Sequence, residues 1–253
     1  MSFILGLFVG SFLNVLILRT VAGESFITGR SHCPQCGVTL SFLHMLPVVS
    51  YLALAGKCAK CQSSISLQYP VVEFVTGCCF ALLASSYAPA ELSMLYPYLL
   101  KDFVITMGLL ALFVFDARWY AVPDAVALPV AGVAAFLNIL LGMPWRAVFL
   151  GAAVGAGLYA VLWVVSRGRW VGDGDIRLGA VVGAAVGWPG TLAALYVSYL
   201  IGGVVAIALV ATGRKELGGM LPMGTFLMAA TFFVLLFPER IAVVTNYFLS
   251  VWH

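Results

Sequence analysis

The chain has 253 residues, of which 63% are hydrophobic and 9% charged, and its formal net charge is +3. Soluble domains are about 45–50% apolar and about 25% charged, so this composition excludes a soluble globular protein, a disordered chain, a coiled coil and a disulfide scaffold. A mean hydropathy of +1.08 points to a polytopic membrane protein, and the small charge excess, with no dense basic stripe, gives no reason to expect a nucleic-acid partner.

Spanning a hydrocarbon core takes about 20 apolar residues, with a range of roughly 17–25. Eight segments qualify in chain order: 2–18, 70–88, 97–115, 124–142, 147–166, 175–189, 191–213 and 218–237. The first lacks a basic leader region and ends at Arg19, so it reads as a true span rather than a cleaved signal. The sixth is short and carries Gly179, Gly183 and Gly187, which predicts packing against protein rather than lipid. The apolar tail 241–253 is expected to be an interfacial helix or a packed end. The chain thus divides into a first span (1–18), a connecting loop (19–69) and a larger membrane core (70–253). Ten Lys and Arg residues fall on the loop side that contains residues 19–69 and three on the other. The positive-inside rule then places that loop in the cytoplasm and the N-terminus outside.

The loop holds Cys33-Pro-Gln-Cys36 and Cys58-Ala-Lys-Cys61, separated by 21 residues. A CxxC turn brings two thiolates onto one ion, and two turns complete the tetrahedron of a closed structural zinc site. Cytosolic thiols stay reduced, which disfavours disulfides. A loop too small for its own core needs such a staple. His32 and His44 read as ordinary polar loop residues, and Cys78 and Cys79 as small packing residues of the second span.

Charges inside a membrane are costly and mark function by default. Asp116 closes the third span, Asp124 opens the fourth after Pro123, and Asp173 and Asp175 lie in Gly172-Asp173-Gly174-Asp175-Ile176-Arg177 at the mouth of the sixth. None pairs obviously with a base in its own helix. Two facing aspartates can act as general base and general acid on water. The glycines beside Asp175 suit close approach of an extended substrate. Asp124 and Asp173 can instead cap helices. Glu73 reads equally as a first-turn charge or as a polar contact of the catalytic bundle. Asn14 reads as a bond across helices, and Lys101 and Asp102 as solvated or snorkelling groups.

The pattern resembles the prepilin peptidases, or type IV leader peptidases, over nearly the whole chain. The motifs run from Gly10-Ser11-Phe12-Leu13-Asn14-Val15 with Arg19 and the two cysteine pairs to Leu46-Pro47-Val48-Val49-Ser50-Tyr51 and Tyr69-Pro70-Val71-Val72-Glu73. They continue with Asp116 and Pro123-Asp124, Gly172-Asp173-Gly174-Asp175, and Leu221-Pro222-Met223-Gly224-Thr225-Phe226. The resemblance implies an all-α polytopic membrane enzyme of about eight transmembrane helices, with a small cytoplasmic four-cysteine zinc-binding domain between the first two. It implies an aspartic endopeptidase of the GxGD type in the bacterial inner membrane, working at the cytoplasmic face. Its catalytic aspartates match Asp116 and Asp175, with Asp124, Asp173, Gly172, Gly174, Arg177 and Glu73 in support.

The implied substrates are type IV prepilins and type 2 secretion pseudopilins, cleaved after a glycine. S-adenosylmethionine is the implied methyl donor for the new N-terminus, and lipid the surroundings. This chain departs from the family pattern at Arg177, where Lys is common, and at Met223 and Thr225, where Phe and Pro are. The rivals from other classes are a proton- or ion-coupled transporter using the aspartates as relays and a zinc-stapled scaffold without catalysis.

Overall fold

The computed structural model describes residues 1–87, 92–214 and 221–238, with side chains from residue 96 onward in the helix that begins at 92. The helices are α1 (Ser2–Ala22), α2 (Val49–Ala53), α3 (Gln68–Ser86), α4 (Leu92–Trp119), α5 (Asp124–Leu140), α6 (Trp145–Ser166), α7 (Asp173–Ala211) and α8 (Met223–Leu236). Among the described residues there is no strand, only two isolated bridges in the first loop. Helices α1, α3, α4 from Tyr96, α6 and α7 are long and apolar enough to cross a membrane, and α5 and α8 are apolar but shorter. The predicted sixth and seventh segments form one run, α7, interrupted where Gly187 (φ 63°) and Trp188 leave helical geometry. The expectation for 241–253 falls outside the described residues.

The chain forms two compact units, Met1–Ala88 and Pro89–His253. In the first, α1 lies on α3 through small residues. A Cβ on Gly6 would sit 2.7 Å from the Cα of Gly77, and one on Gly10 2.6 Å from the Cα of Glu73. Helices in lipid gain little hydrophobic energy from association, so such close backbone approach supplies the packing. Asn14 does bond across helices: its amide donates to the Tyr69 carbonyl (3.1 Å), and its Oδ1 accepts from the Gln68 amide (3.4 Å). Leu13 and Ile17 of α1 flank it in sequence and are buried, as are Phe80, Leu83 and Cys79 further along α3.

In the second unit, α6 and α7 run antiparallel along a glycine seam. A Cβ on Gly155 would strike the Gly179 carbonyl, and one on Gly183 the backbone of Gly151 and Ala152. The predicted protein-facing role of this segment therefore holds. Leu109, Leu112 and Phe115 of α4, Leu178 and Val182 of α7, and Leu227 and Met228 of α8 form the buried centre.

The break in α7 leaves two carbonyls without their usual donors. Trp188 is turned out of the helix and Pro189 has no N–H. Asn138 of α5 replaces both, donating its amide to Ala184 and Ala185 carbonyls at 2.8 Å each. Lys101 of α4 in turn donates to the Asn138 oxygen (3.2 Å) and pairs with Asp102 (2.8 Å). This corrects the expectation that Lys101 and Asp102 are solvated or snorkelling: Asp102 is 3% exposed. The physical reason is the break, which creates a buried polar demand that neighbouring helices must meet.

Candidate active site and metal centre

The first loop contains two knuckles built alike. Cys33 N–H donates to the Val38 carbonyl and Gly37 N–H to the Cys33 carbonyl; Cys58 N–H donates to the Ser63 carbonyl and Gln62 N–H to the Cys58 carbonyl. The bridges His32–Thr39 and Lys57–Ser64 repeat with the same offset. Gly37 (φ 68°) and Gln62 (φ 58°) hold equivalent left-handed positions. This repeat was not read from the sequence beyond the cysteine spacing.

The knuckles bring one sulfur each from Cys33, Cys36, Cys58 and Cys61 to within 4.8 Å of one another. The Cys33 and Cys61 sulfurs are 3.9 Å apart. A tetrahedral ion with metal–sulfur bonds of about 2.3 Å, the zinc value, gives sulfur–sulfur edges of about 3.8 Å. The donor set therefore fits a metal ion.

Hydrogen bonds from the backbone N–H of Cys36, then of Gln35, bring the Cys33 thiol down to about 6. The Ser63 hydroxyl, 3.0 Å from the Cys61 sulfur, lowers that thiol as well. At Cys36 the Val38 N–H favours the thiolate, but loss of hydration and the neighbouring sulfurs outweigh it and push the thiol up to about 11. A dication among the four displaces the remaining protons.

Also in the first unit, the Glu73 carboxylate is buried and accepts the Val48 N–H at 2.7 Å. Val48 has φ 60°, an unusual conformation for a β-branched residue. Glu73 therefore pins a strained turn of the loop, a role neither of its sequence-based readings contained.

In the second unit Asp116 lies in the last turn of α4 with 7% exposure. Its Oδ2 accepts the Thr225 N–H at 2.7 Å. Thr225 is the third residue of α8, whose N-cap, Pro222, offers no side-chain acceptor. The carboxylate thus satisfies an orphan N–H of a different helix. The fit is close, because a Cβ on Gly224 would lie 2.7 Å from the Asp116 Cγ. The sequence showed the Pro222-Met223-Gly224 stretch but not what it embraces.

Asp175 stands at the third position of α7 and accepts the Gly172 N–H at 3.0 Å, one half of a capping box. Asp116 lies within its electrostatic reach. Both predicted catalytic aspartates are thus tied by one oxygen to a helix N-terminus, in the same unit.

Asp124 and Asp173 behave differently. Capping was one reading for them, yet α5 has no side-chain cap bond at Pro123, and the α7 cap residue is Gly172. Instead both pair with Arg177, Asp124 through Nε and Asp173 through Nη1 at 3.1 Å. This corrects the expectation that no aspartate pairs with a base in its own helix: Asp173 and Arg177 are i,i+4 partners. The glycines also differ. A Cβ on Gly174 would meet the Val122 side chain at 2.9 Å, so that approach is filled by the α4–α5 loop. At Gly172 a Cβ would meet nothing closer than 3.9 Å, and close access next to Asp175 remains there.

Residues 4–87 match the bacterial peptidase A24 N-terminal domain, and residues 103–207 match the type IV leader peptidase family. A protein of Bacillus subtilis (strain 168) is 34% identical over 243 residues, covering 94% of either chain. The chain belongs to the type IV leader peptidase family. A Neisseria gonorrhoeae relative is 34% identical over 244 residues (83% of this chain, 82% of the relative). One from Pseudomonas putida is 32% identical over 268 residues (94% and 90%). All three are named prepilin leader peptidase/N-methyltransferase. No solved structure matches. As a type IV leader peptidase, the chain offers nothing in favour of the transporter alternative.

Proposed function

We propose that this protein is an integral membrane aspartic endopeptidase that removes the leader peptide from type IV prepilins or type 2 secretion pseudopilins. In this reading it then methylates the new N-terminus with S-adenosylmethionine. The observation that carries the reading is the pair Asp116 and Asp175, each held by one oxygen at a helix start and within electrostatic reach of the other.

In the mechanism, one carboxylate of the pair takes a proton from water as the water oxygen bonds to the scissile carbonyl carbon. The other, protonated, carboxyl gives its proton to the leaving nitrogen as the C–N bond breaks. The pair ends with its proton on the opposite partner and titrates as a unit. Asp124, Asp173 and Arg177 form an ion-pair strap beside Asp175, with Gly172 as the open approach. S-adenosylmethionine would supply the methyl group for the amine that cleavage frees. The names of the relatives support this second activity.

Cys33, Cys36, Cys58 and Cys61 hold a structural zinc ion, which staples the loop. The basic residues around that loop support placing it, and the peptidase site, at the cytoplasmic face of the bacterial inner membrane, with the N-terminus outside. A prepilin has a basic leader ahead of an apolar helix, so its cleavage point lies at such an interface.

Purified protein in detergent, mixed with a prepilin with and without S-adenosylmethionine, should yield a cleaved product and then, with the donor, one about 14 Da heavier, the mass a methyl group adds in place of a hydrogen. Asp116→Asn and Asp175→Asn should each reduce cleavage by at least about 1,000-fold, and the double variant should be no worse than either. Cleavage that persists in both single variants would end the aspartic-protease reading.

A further inference from the structure

The glycine seam between α6 and α7 sets a register. Gly151 meets Gly183 and Gly155 meets Gly179. One turn further along each helix, the same antiparallel register brings Tyr159 of α6 to the turn of α7 that carries Asp175. Tyr159 is fully buried at 0% exposure and is among the largest buried side chains. Among the described residues its hydroxyl makes no hydrogen bond of good geometry, and the Tyr199 hydroxyl is close enough for only a weak one. The hydroxyl lies within electrostatic reach of the Asp175 carboxylate and of the Tyr199 hydroxyl, and Tyr199 is in turn within reach of Asp175. Leaving a buried hydroxyl unpaired costs about 1–3 kcal/mol. A phenylalanine would fill the same space without that cost, so packing alone does not account for the oxygen.

We propose that Tyr159 is a positioning residue for Asp175: its hydroxyl donates a hydrogen bond to that carboxylate in the substrate-bound state, with Tyr199 as the second member of the pair. This deepens the peptidase reading and rests on it. One oxygen of Asp175 is already held by the Gly172 N–H. A donor on the α6 side would fix the rotation of the carboxylate about that anchor and favour its ionised, proton-accepting form. Among the described residues, the groups that interact with Asp175 or surround it are as follows. Its own helix supplies Asp173 and Arg177, which bond to each other, and Arg177 is also held by Asp124 of α5. The α4 side supplies Asp116, whose Oδ2 is taken by the Thr225 N–H of α8. Tyr159 and Tyr199 are the neutral donors of the set.

The test is Tyr159→Phe in the full-length enzyme, assayed on a purified type IV prepilin across a pH series. Loss of a hydrogen bond to a charged group should lower kcat by about 10- to 100-fold, with KM little changed. Without the donor the carboxylate is protonated more easily, so the acid limb of the kcat profile should move to higher pH. Tyr199→Phe should move it the same way by less. Thermal stability should be little changed in Tyr159→Phe, because at rest the oxygen has no hydrogen bond of good geometry to lose. A wild-type rate and profile would overturn the proposal, and so would a lower kcat with an unmoved acid limb or with lost stability. Asp175→Asn, run alongside, separates the failures: if it stays active the peptidase reading itself falls, whereas if it is dead and Tyr159→Phe behaves as wild type only the role of Tyr159 falls.

Discussion

The cysteine loop and the aspartate site solve the same problem, gathering reactive groups, at different distances along the chain. The loop makes its cluster from two short knuckles with one backbone pattern, and each contributes two sulfurs three residues apart. The aspartate site draws on the last turn of α4, the start of α7 and the start of α8, and one of its bonds joins Asp116 to Thr225, 109 residues later. A site made of local turns fails when a ligand is lost. A site made by docking helices fails when the helices shift. The two should therefore break under different substitutions.

Cys58→Ser removes one of four ligands and should abolish metal retention, taking the content from about one ion per chain to near zero. Elemental analysis checks this, and limited proteolysis should then cut within the loop between α1 and α3 while the helical circular dichroism persists. In the docked site the sharpest probe leaves every carboxylate in place. Gly224→Ala puts a methyl group against Asp116 and Leu178. A shift of about 1 Å at reacting groups can cost about 100-fold, and a loss of that size in prepilin cleavage is expected with metal content unchanged.

Arg177→Gln should do far less. Its partners Asp124 and Asp173 are 58% and 71% exposed at their side chains, and exposed pairs contribute about 0–1 kcal/mol. A change in cleavage of less than about tenfold, measured at low salt and at about 0.5 M, where screening is strong, would place the strap outside the chemistry. The smallest effect tests the duplication of the knuckles. Gln62 occupies the left-handed position that Gly37 fills in the other knuckle. Gln62→Gly relieves that strain against some loss of chain entropy, for a net gain of about 0.5 kcal/mol. Competition with a chelator should show this as an affinity about twofold tighter.

What could be read in advance follows the same division. The cysteine ligands are legible because the CxxC turn is local, and the apolar segments because lipid demands long runs of one character. Ser63 beside Cys61, and Glu73 under the strained Val48, were not legible as such, because each serves a backbone shape that exists only after folding. Lys101 and Asp102 were misread for a related cause. Nothing in residues 97–115 reveals that the break at Trp188 and Pro189, on another helix, strips donors from Ala184 and Ala185. Tyr159 sits in an apolar stretch where a tyrosine looks like packing, and only the glycine register aligns it with Asp175.

The bond between Asp116 and the start of α8 also orders events in time. A chain emerging from the ribosome carries Asp116, and then Asp175, well before Thr225 has been made. Until α8 docks, the Asp116 carboxylate lacks the N–H that holds it. Nascent chains stalled ahead of residue 221 should therefore enter the membrane as inert precursors. Peptidase activity is then expected only from chains long enough for α8 to dock on Asp116.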